Sequence, residues 1–205
     1  MNMLLLFFTG FIIGITGAMI PGPLTFFTVS ETLKSDNTVG LRVILGHMAI
    51  EALIVSILVL GLHKAFASKI VLWWISVIGG LALVTMGGIL FTRVSSLKIN
   101  DTKHCRGFSR GLFIGGVFFS IASPGFIIWW ATIGVSTIAK ALLSGLLGVG
   151  IFIIGHWVAD ILWYWFISFA TDKGKEYLSD SLYRRLVRVF SMFLILLGAW
   201  FLMSA

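Results

Sequence analysis

The chain has 205 residues, of which 59% are hydrophobic and 11% are charged, and its mean hydropathy is +1.05. A soluble domain carries about 25% charged residues, so the composition excludes a soluble globular protein and predicts an all-α integral membrane protein. The net charge of +7 does not indicate nucleic-acid binding, because the basic residues lie in short segments between apolar runs, as in loops that flank a bilayer.

Six stretches are long enough to cross a bilayer, which requires about 20 mainly apolar residues. No Lys or Arg precedes the first stretch, so we interpret it as a retained spanning helix and not as a cleaved signal peptide. In chain order the predicted spans are Met3–Thr28, Val43–Leu62, Ile70–Phe91, Gly111–Ile133, Leu142–Ala170 and Leu186–Met203.

Two of these spans, the first and the fourth, are predicted to be broken. Pro21-Gly22-Pro23 interrupts the first and Ser123-Pro124-Gly125 the fourth. Proline removes a backbone donor and blocks the preceding turn, and the freed backbone groups must line protein or a wet cavity and not lipid. A new helix start there presents a positive dipole end that suits a carboxylate. We predict that all six residues bind substrate; a simple kink or a membrane-edge turn is the alternative.

One phrase, Gly-His-x-x-x-acid, occurs twice inside apolar runs, as Gly46-His47-Met48-Ala49-Ile50-Glu51 and as Gly155-His156-Trp157-Val158-Ala159-Asp160. Ionisable groups at membrane depth usually mark a pathway or a binding site. His47 and Glu51, like His156 and Asp160, are spaced i, i+4 and share a helix face. Imidazole titrates near neutral pH, so the four residues are candidates for proton coupling, and Glu51 and Asp160 also for substrate binding. A structural hydrogen bond between helices is the alternative, and the sequence does not say whether the two pairs meet.

The order of these features predicts two repeats, residues 1–92 and 111–205, joined by a basic connector at 93–110. With three helices in each repeat, the second copy must cross the membrane upside down, as in many secondary transporters. The matching pairs are Pro21 with Pro124, His47 with His156 and Gly87 with Gly198, at offsets of 103, 109 and 111 residues.

The basic residues predict the orientation. Twelve of the 15 Lys and Arg residues fall in the first, third and fifth loops, and three fall on the other side. Since cytoplasmic loops carry the excess of Lys and Arg, we expect the odd loops in the cytoplasm and both termini outside the cell membrane.

The segments Ala18–Pro23 and Ser123–Trp130 resemble the lysine exporter and threonine/homoserine exporter family (LysE/RhtB type), whose members often carry Pro-Gly-Pro at the first place and Asn-Pro-Lys at the second. The length and the six apolar segments are also similar, and the Gly-His-x-x-x-acid pairs resemble an archaeal-like branch. This chain has Ser123 in place of the Asn and Gly125 in place of the Lys. The resemblance implies export of amino acids driven by the proton gradient.

We therefore predict a secondary transporter that exports a small amino acid or a related zwitterion, with protons as the coupling partner and the bilayer as its surroundings. A homo-oligomer is compatible with this prediction, and no nucleic acid, cofactor or metal site is expected. One alternative is a divalent metal cation exporter, which requires all four His and acidic side chains to converge. The other is a structural or accessory membrane protein. An enzyme is not predicted, because the chain lacks a zinc-protease motif and a nucleotide loop.

Overall fold

A computed structural model describes residues 2–20, 22–61, 69–96, 109–177 and 179–204, and the regular structure in these ranges is helical. Pro21 and most of the predicted connector at 93–110 lie outside the described residues.

The helices follow the predicted spans in order, but they differ in their bounds. The six-residue helix α6 continues through a π-helical segment, Trp130–Gly134, into α7. The bounds are α1 Met3–Ala18, α2 Pro23–Lys34, α3 Val39–Val59, α4 Lys69–Arg93, α5 Ser109–Ile121, α6 Pro124–Trp129, α7 Val135–Leu142, α8 Gly145–Gly174 and α9 Asp180–Ser204.

Four stretches within the described residues are long and apolar enough to cross a membrane, and the bent pair α1–α2 makes a fifth. Two shorter apolar stretches accompany them, Ser76–Thr92 and Gly111–Ile121. The protein is therefore an all-helical, multi-pass membrane protein, and the count of six spans stays a prediction. The four stretches are Val39–Val59, Gly125–Leu142, Gly145–Gly174 and Asp180–Met203.

Both predicted breaks are present. Helices α1 and α2 meet at an angle of 73°, and α2 begins with Gly22 as its N-cap and Pro23 in its first turn. At the second break, Ser123 is the N-cap of α6 and Pro124 stands in its first turn. Pro23 and Pro124 thus hold equivalent positions in the first turn after each break. The predicted pairing of Pro124 with Pro21 was wrong.

The predicted end of the fourth span at Ile133 was wrong. Pro124 restarts the helix instead of kinking it, so a new run of 18 residues continues to Leu142. The fifth span consequently begins later than predicted, at Gly145, whose φ of +71° is a conformation that favours glycine.

Helices α1 and α8 are in backbone contact through a reciprocal pair of glycines. A Cβ atom built on Gly10 would lie 2.1 Å from the carbonyl oxygen of Phe152, and one built on Gly155 would lie 2.1 Å from that of Phe7. Each carbonyl belongs to the residue three positions before the partner glycine. Small residues of this kind allow membrane helices to approach closely.

Helices α3 and α5 repeat this arrangement. A Cβ atom on Gly46 would lie 2.0 Å from the carbonyl oxygen of Phe113, and one on Gly116 would lie 2.0 Å from that of Val43. The spacing of three residues between carbonyl and glycine is the same, so the two interfaces are built on one pattern.

Helices α4 and α9 form the third close pair. A Cβ atom on Gly80 would lie 2.9 Å from the carbonyl oxygen of Gly198, and one on Gly198 would lie 2.6 Å from that of Gly80. A Cβ atom on Gly87 would lie 2.8 Å from the carbonyl oxygen of Ser191. As the residue number increases along α4, the number of the contacting residue decreases along α9. These two helices therefore run antiparallel.

The turn between α2 and α3 is fixed by Asp36, whose Oδ1 accepts a 2.8 Å hydrogen bond from the Thr38 backbone N–H and another from the Thr38 hydroxyl. The hydroxyl bond is the main reason why the pKa of Asp36 lies below its ordinary value. Lys175 Nζ donates a 3.0 Å hydrogen bond to the carbonyl of Ser35, which ties this turn to the end of α8.

The glycine contacts predict which alanine substitutions the fold tolerates. Gly155→Ala and Gly46→Ala each place a methyl group against a backbone oxygen, so we expect a loss of roughly 1–3 kcal/mol in the free energy of unfolding. Thermal or denaturant unfolding of the purified protein in detergent measures this loss.

Gly150→Ala is the matched control on α8, because a Cβ atom there would meet no atom within 4 Å in the described part of the chain. Alanine favours a helix over glycine by up to about 1 kcal/mol, so this variant should be unchanged or more stable. Equal behaviour of Gly155→Ala and Gly150→Ala would contradict the close packing of α1 on α8.

Candidate functional site

The two Gly-His-x-x-x-acid phrases meet in one buried cluster near the middle of α3 and α8. His47 Nε2 lies 3.2 Å from Glu51 Oε1 and His156 Nε2 lies 3.4 Å from Asp160 Oδ2, so both i, i+4 contacts form. His156 Nε2 also lies 3.1 Å from Glu51 Oε1 and thereby joins the two phrases. The structure therefore answers the question that the sequence left open.

Glu51 is at the centre of the cluster, and N–H donors surround it although its exposed fraction is only 1%. Trp157 Nε1 donates to Oε2 at 3.0 Å and Trp130 Nε1 donates to Oε1 at 3.3 Å. His156 Nε2 also contacts Oε1. A buried carboxylate is tolerated where its oxygens are hydrogen-bonded, so this shell allows a charged Glu51 to be buried.

Trp130 reaches Glu51 because of the helix that follows the second break. It begins the π-helical segment Trp130–Gly134, and its ring lies over Gly134, where a Cβ atom would be 2.4 Å from the indole. Single π-helical turns inside α-helices are frequent at functional sites. Here the segment turns a fully buried indole toward an anion on another helix.

Asp160 has different surroundings, although it occupies the matching place in the second phrase. Its side chain is 2% exposed, and its Oδ2 makes no hydrogen bond to any of the described residues. Its contact with His156 Nε2 at 3.4 Å is an ion-pair distance without hydrogen-bond geometry. The two acids of the repeated phrase are thus unequal: Glu51 has several donors, and Asp160 has a free oxygen.

The two histidines are unequal as well. His47 Nδ1 lies 2.7 Å from Ser120 Oγ on α5, and the Ser120 hydroxyl lies 2.6 Å from the carbonyl oxygen of Gly116. His156 Nδ1 faces Gly14 on α1, at 2.9 Å from where a Cβ atom of that glycine would be. His156 Nδ1 has no hydrogen-bond partner among the described residues.

The cluster forms one wall of a cavity of about 370 Å³. Residues of both helix breaks line it, namely Gly22, Pro23, Ser123 and Gly125. Of the remaining predicted substrate residues, Pro124 holds the first turn of α6 and Pro21 lies outside the described residues. Aromatic rings supply much of the rest of the lining, namely Phe126, Trp129, Trp130, Tyr164, Phe193, Trp200 and Phe201.

Between the cavity and the turn at residues 35–38, helices α2, α3 and α8 are in close contact. Thr32 Oγ1 lies 3.1 Å from Ser168 Oγ, which accepts a 2.8 Å hydrogen bond from the Gly40 backbone N–H. Thr32 and Ser168 are fully buried. Nearer the cavity, Thr25 Oγ1 lies 3.4 Å from Tyr164 OH. Hydroxyl groups therefore mark the path from the cavity toward this turn, and the helices are packed along it.

Several residues of the site were not predicted from the sequence. Trp157 stands inside the second phrase itself, and its indole N–H could have been recognised as a donor for a buried acid. Ser120 lies four residues after Gly116 in an apolar helix, a small-residue spacing typical of close helix contacts at which a serine can hydrogen-bond to the neighbouring helix. The hydrogen bond from Trp130 to Glu51 could not be predicted from nearby residues, because it depends on how α6 and α3 pack.

An all-helical, multi-pass membrane protein in which broken helices and buried ionisable groups enclose a cavity belongs to the class of membrane transporters. The model of the family described as LysE type translocator matches residues 15–205, and the chain belongs to this family. It is accordingly a transporter and not an enzyme. No curated protein and no solved structure matches the chain.

The shell around Glu51 predicts that losing one donor destabilises the fold. Trp157→Phe removes the hydrogen bond to Oε2 and leaves that buried oxygen unpaired, at an expected cost of roughly 1–3 kcal/mol in the free energy of unfolding. Denaturant unfolding in detergent measures the difference from the unsubstituted protein.

Trp163→Phe is the matched control on the same helix, because Trp163 Nε1 is buried without a partner among the described residues. It removes an indole of the same size but no hydrogen bond, so its cost should be clearly smaller. If Trp163→Phe costs as much as Trp157→Phe, packing volume accounts for both and the donor role is wrong.

Proposed function

We propose that this translocator exports a small amino acid or a related zwitterion from the cytoplasm in exchange for protons. The observation that carries the proposal is that Glu51 and Asp160, from separate parts of the chain, share one buried cluster. This cluster lines a cavity that residues of both helix breaks also line. The cavity volume of about 370 Å³ lies at the low end of the roughly 300–1,000 Å³ of ligand pockets, which favours a small substrate.

The substrate carboxylate binds at the start of α2. Residues Gly22–Thr25 line the cavity, and no side chain in the described part of the chain caps this helix end. The first N–H groups of a helix lack partners within it and carry the positive end of its dipole. Ser123 and Gly125 at the second break line the same cavity.

The substrate ammonium group binds Asp160. Of the two acids, Asp160 has the oxygen without a hydrogen bond, whereas the oxygens of Glu51 already accept from two tryptophans. A cation placed between Asp160 and the aromatic lining gains both an ion pair and contact with ring faces. Glu51 acts mainly as a fixed negative charge that holds His156 in place.

Protons and the substrate ammonium group then compete for the same carboxylate. A proton that reaches Asp160 through His156 or His47 displaces the ammonium group, and deprotonation on the other side allows the next substrate to bind. Because the two ligands favour different conformations, this competition couples their movements. The packed hydroxyl path between the cavity and the turn at 35–38 is closed in this conformation and must open to the cytoplasm.

The matched glycine contacts of α1 with α8 and of α3 with α5 support two inverted repeats at 1–92 and 111–205. The positions of the basic residues support odd loops in the cytoplasm and both termini outside. This orientation in the cell membrane places the turn at 35–38 and the end of α8 on the side from which export begins.

Inside-out membrane vesicles test the proposal. We expect a labelled amino-acid panel to show uptake that increases with an imposed proton gradient, and Asp160→Asn and Glu51→Gln to abolish it while the protein remains folded. Asp180→Asn is the control, since Asp180 is an exposed acid in the first turn of α9 outside the cavity lining, and its uptake should stay within about twofold of the unsubstituted protein.

The outcomes also separate the alternatives. Transport of none of the panel together with raised metal tolerance in cells would favour a metal exporter. Loss of folding in step with loss of activity in both acid variants would favour a structural or accessory role.

A further inference from the structure

We propose that His47, Glu51 and Asp160 form a binding site for one divalent transition-metal ion, with Ser120 as the residue that prepares His47 to bind it. The sequence predicts no resident metal site, although its metal-exporter alternative uses both histidines and both acids as ligands. A metal ion at this site would share Asp160 with the ammonium group of the proposed substrate, so the two ligands would compete for it. Metal binding is measured on the purified protein, so its failure can be told apart from a failure of amino-acid export.

The geometry of the three side chains suits one ion. Each offers a ligand atom, and these atoms lie within 4.8 Å of one another. With metal–ligand bonds of about 2.0–2.2 Å, two ligands of one tetrahedral ion stand about 3.3–3.6 Å apart. His47 Nε2 and Glu51 Oε1 are 3.2 Å apart, so this pair needs only a small shift to share an ion. Oε1 also accepts from Trp130 and contacts His156 Nε2, so a bound ion would displace one of these two donors.

Ser120 determines which nitrogen of His47 carries the proton. The Ser120 hydroxyl has one hydrogen, and the carbonyl oxygen of Gly116 at 2.6 Å can only accept it. The 2.7 Å contact between His47 Nδ1 and Ser120 Oγ is then a hydrogen bond only if Nδ1–H donates. This assignment is the one that makes both contacts hydrogen bonds.

It follows that neutral His47 presents the lone pair of Nε2 to Glu51. A lone pair facing a carboxylate oxygen at 3.2 Å is unfavourable unless a proton on Nε2 or a metal ion lies between them. Metal-ligating histidines almost always donate their other ring N–H to a fixed acceptor. The Ser120–Gly116 pair supplies such an acceptor.

The buried charge also favours a divalent ion. Glu51 and Asp160 are 1% and 2% exposed, and the residues that the structure shows lining the cavity include no Lys or Arg. The donors around Glu51 offset part of its desolvation, but Asp160 Oδ2 has no hydrogen bond to the described residues. Two adjacent buried carboxylates remain costly unless positive charge is brought to them, as a metal ion or as protons on His47 and His156. One divalent cation balances both.

Asp160 provides an independent indication. Its Oδ2 is buried and has no hydrogen-bond partner among the described residues, although it lies within the same cluster. Buried polar atoms are normally hydrogen-bonded, so an oxygen left free beside an imidazole lone pair and a second carboxylate is available for an ion.

His156 is not prepared in the same way. Gly14 faces its Nδ1, in the place that corresponds to Ser120, so nothing on α1 fixes its proton on that nitrogen. His156 is instead free to donate Nε2–H to Glu51. The site therefore has three protein ligands and a further position open toward the cavity, and the mixture of imidazole and carboxylate favours zinc-like ions over magnesium or calcium.

Cobalt titration of the purified protein tests the site, because bound Co²⁺ absorbs visible light according to its ligands. The protein is stripped with a chelator, carries no polyhistidine tag, and has His63, His104 and Cys105 replaced to remove other donors. We expect one Co²⁺ per chain, displaced by Zn²⁺, and a visible band stronger than that of the aqueous ion. Ser120→Ala should weaken binding about 10- to 100-fold, as removal of such an acceptor does elsewhere.

Ser191→Ala is the matched control, because Ser191 is a buried serine that bonds to the carbonyl four residues before it but lies outside the cavity lining. It should bind Co²⁺ like the parent protein. His47→Gln should remove the band, with circular dichroism confirming the fold.

An aqueous-like Co²⁺ spectrum in the parent protein would overturn the proposal even if no variant folds. Equal affinity of the parent and Ser120→Ala would show that Ser120 does not prepare the site. Either result leaves amino-acid transport, measured in vesicles, unaffected as a proposal.

Discussion

The structure depends on keeping a carboxylate in the interior of a membrane protein. Glu51 is fully enclosed, and its position is defined by N–H groups from two tryptophans and by contacts with two histidines. These partners come from α3, the π-helical segment after α6, and α8. Because an unpaired charge at this depth is very unfavourable, the arrangement of these three elements is set as much by the needs of one anion as by apolar packing.

The sequence predicted the broad fold and much of the site. The hydropathy pattern predicted a helical membrane protein, and proline chemistry predicted both breaks, because these depend on local properties of a few residues. The repeated phrase predicted the four ionisable residues that meet. The bounds of the fourth span were wrong, since whether Pro124 kinks a helix or starts a new one depends on what the following turns can bury.

Other features could not be obtained from the sequence because they arise between helices. Nothing near Trp130 indicates that its indole reaches Glu51. The difference between the two acids is equally non-local: both phrases read alike, but α5 offers Ser120 to one histidine and α1 offers Gly14 to the other. The two copies of the motif are thus similar in sequence, but their histidines and acids have different hydrogen-bond partners.

The glycine contacts have a consequence for movement. Helix α1 lies directly against α8, and α3 directly against α5, at distances where no side chain separates the backbones. Each couple contains one helix from either half of the chain. In the transport cycle proposed above, opening the cavity would move one couple against the other about the contact of α3 with α8, where a Cβ atom on Gly40 would lie 2.1 Å from the carbonyl oxygen of Tyr164. Glu51 belongs to one couple and Asp160 to the other, so in that cycle a ligand bound between them would hold the two couples together.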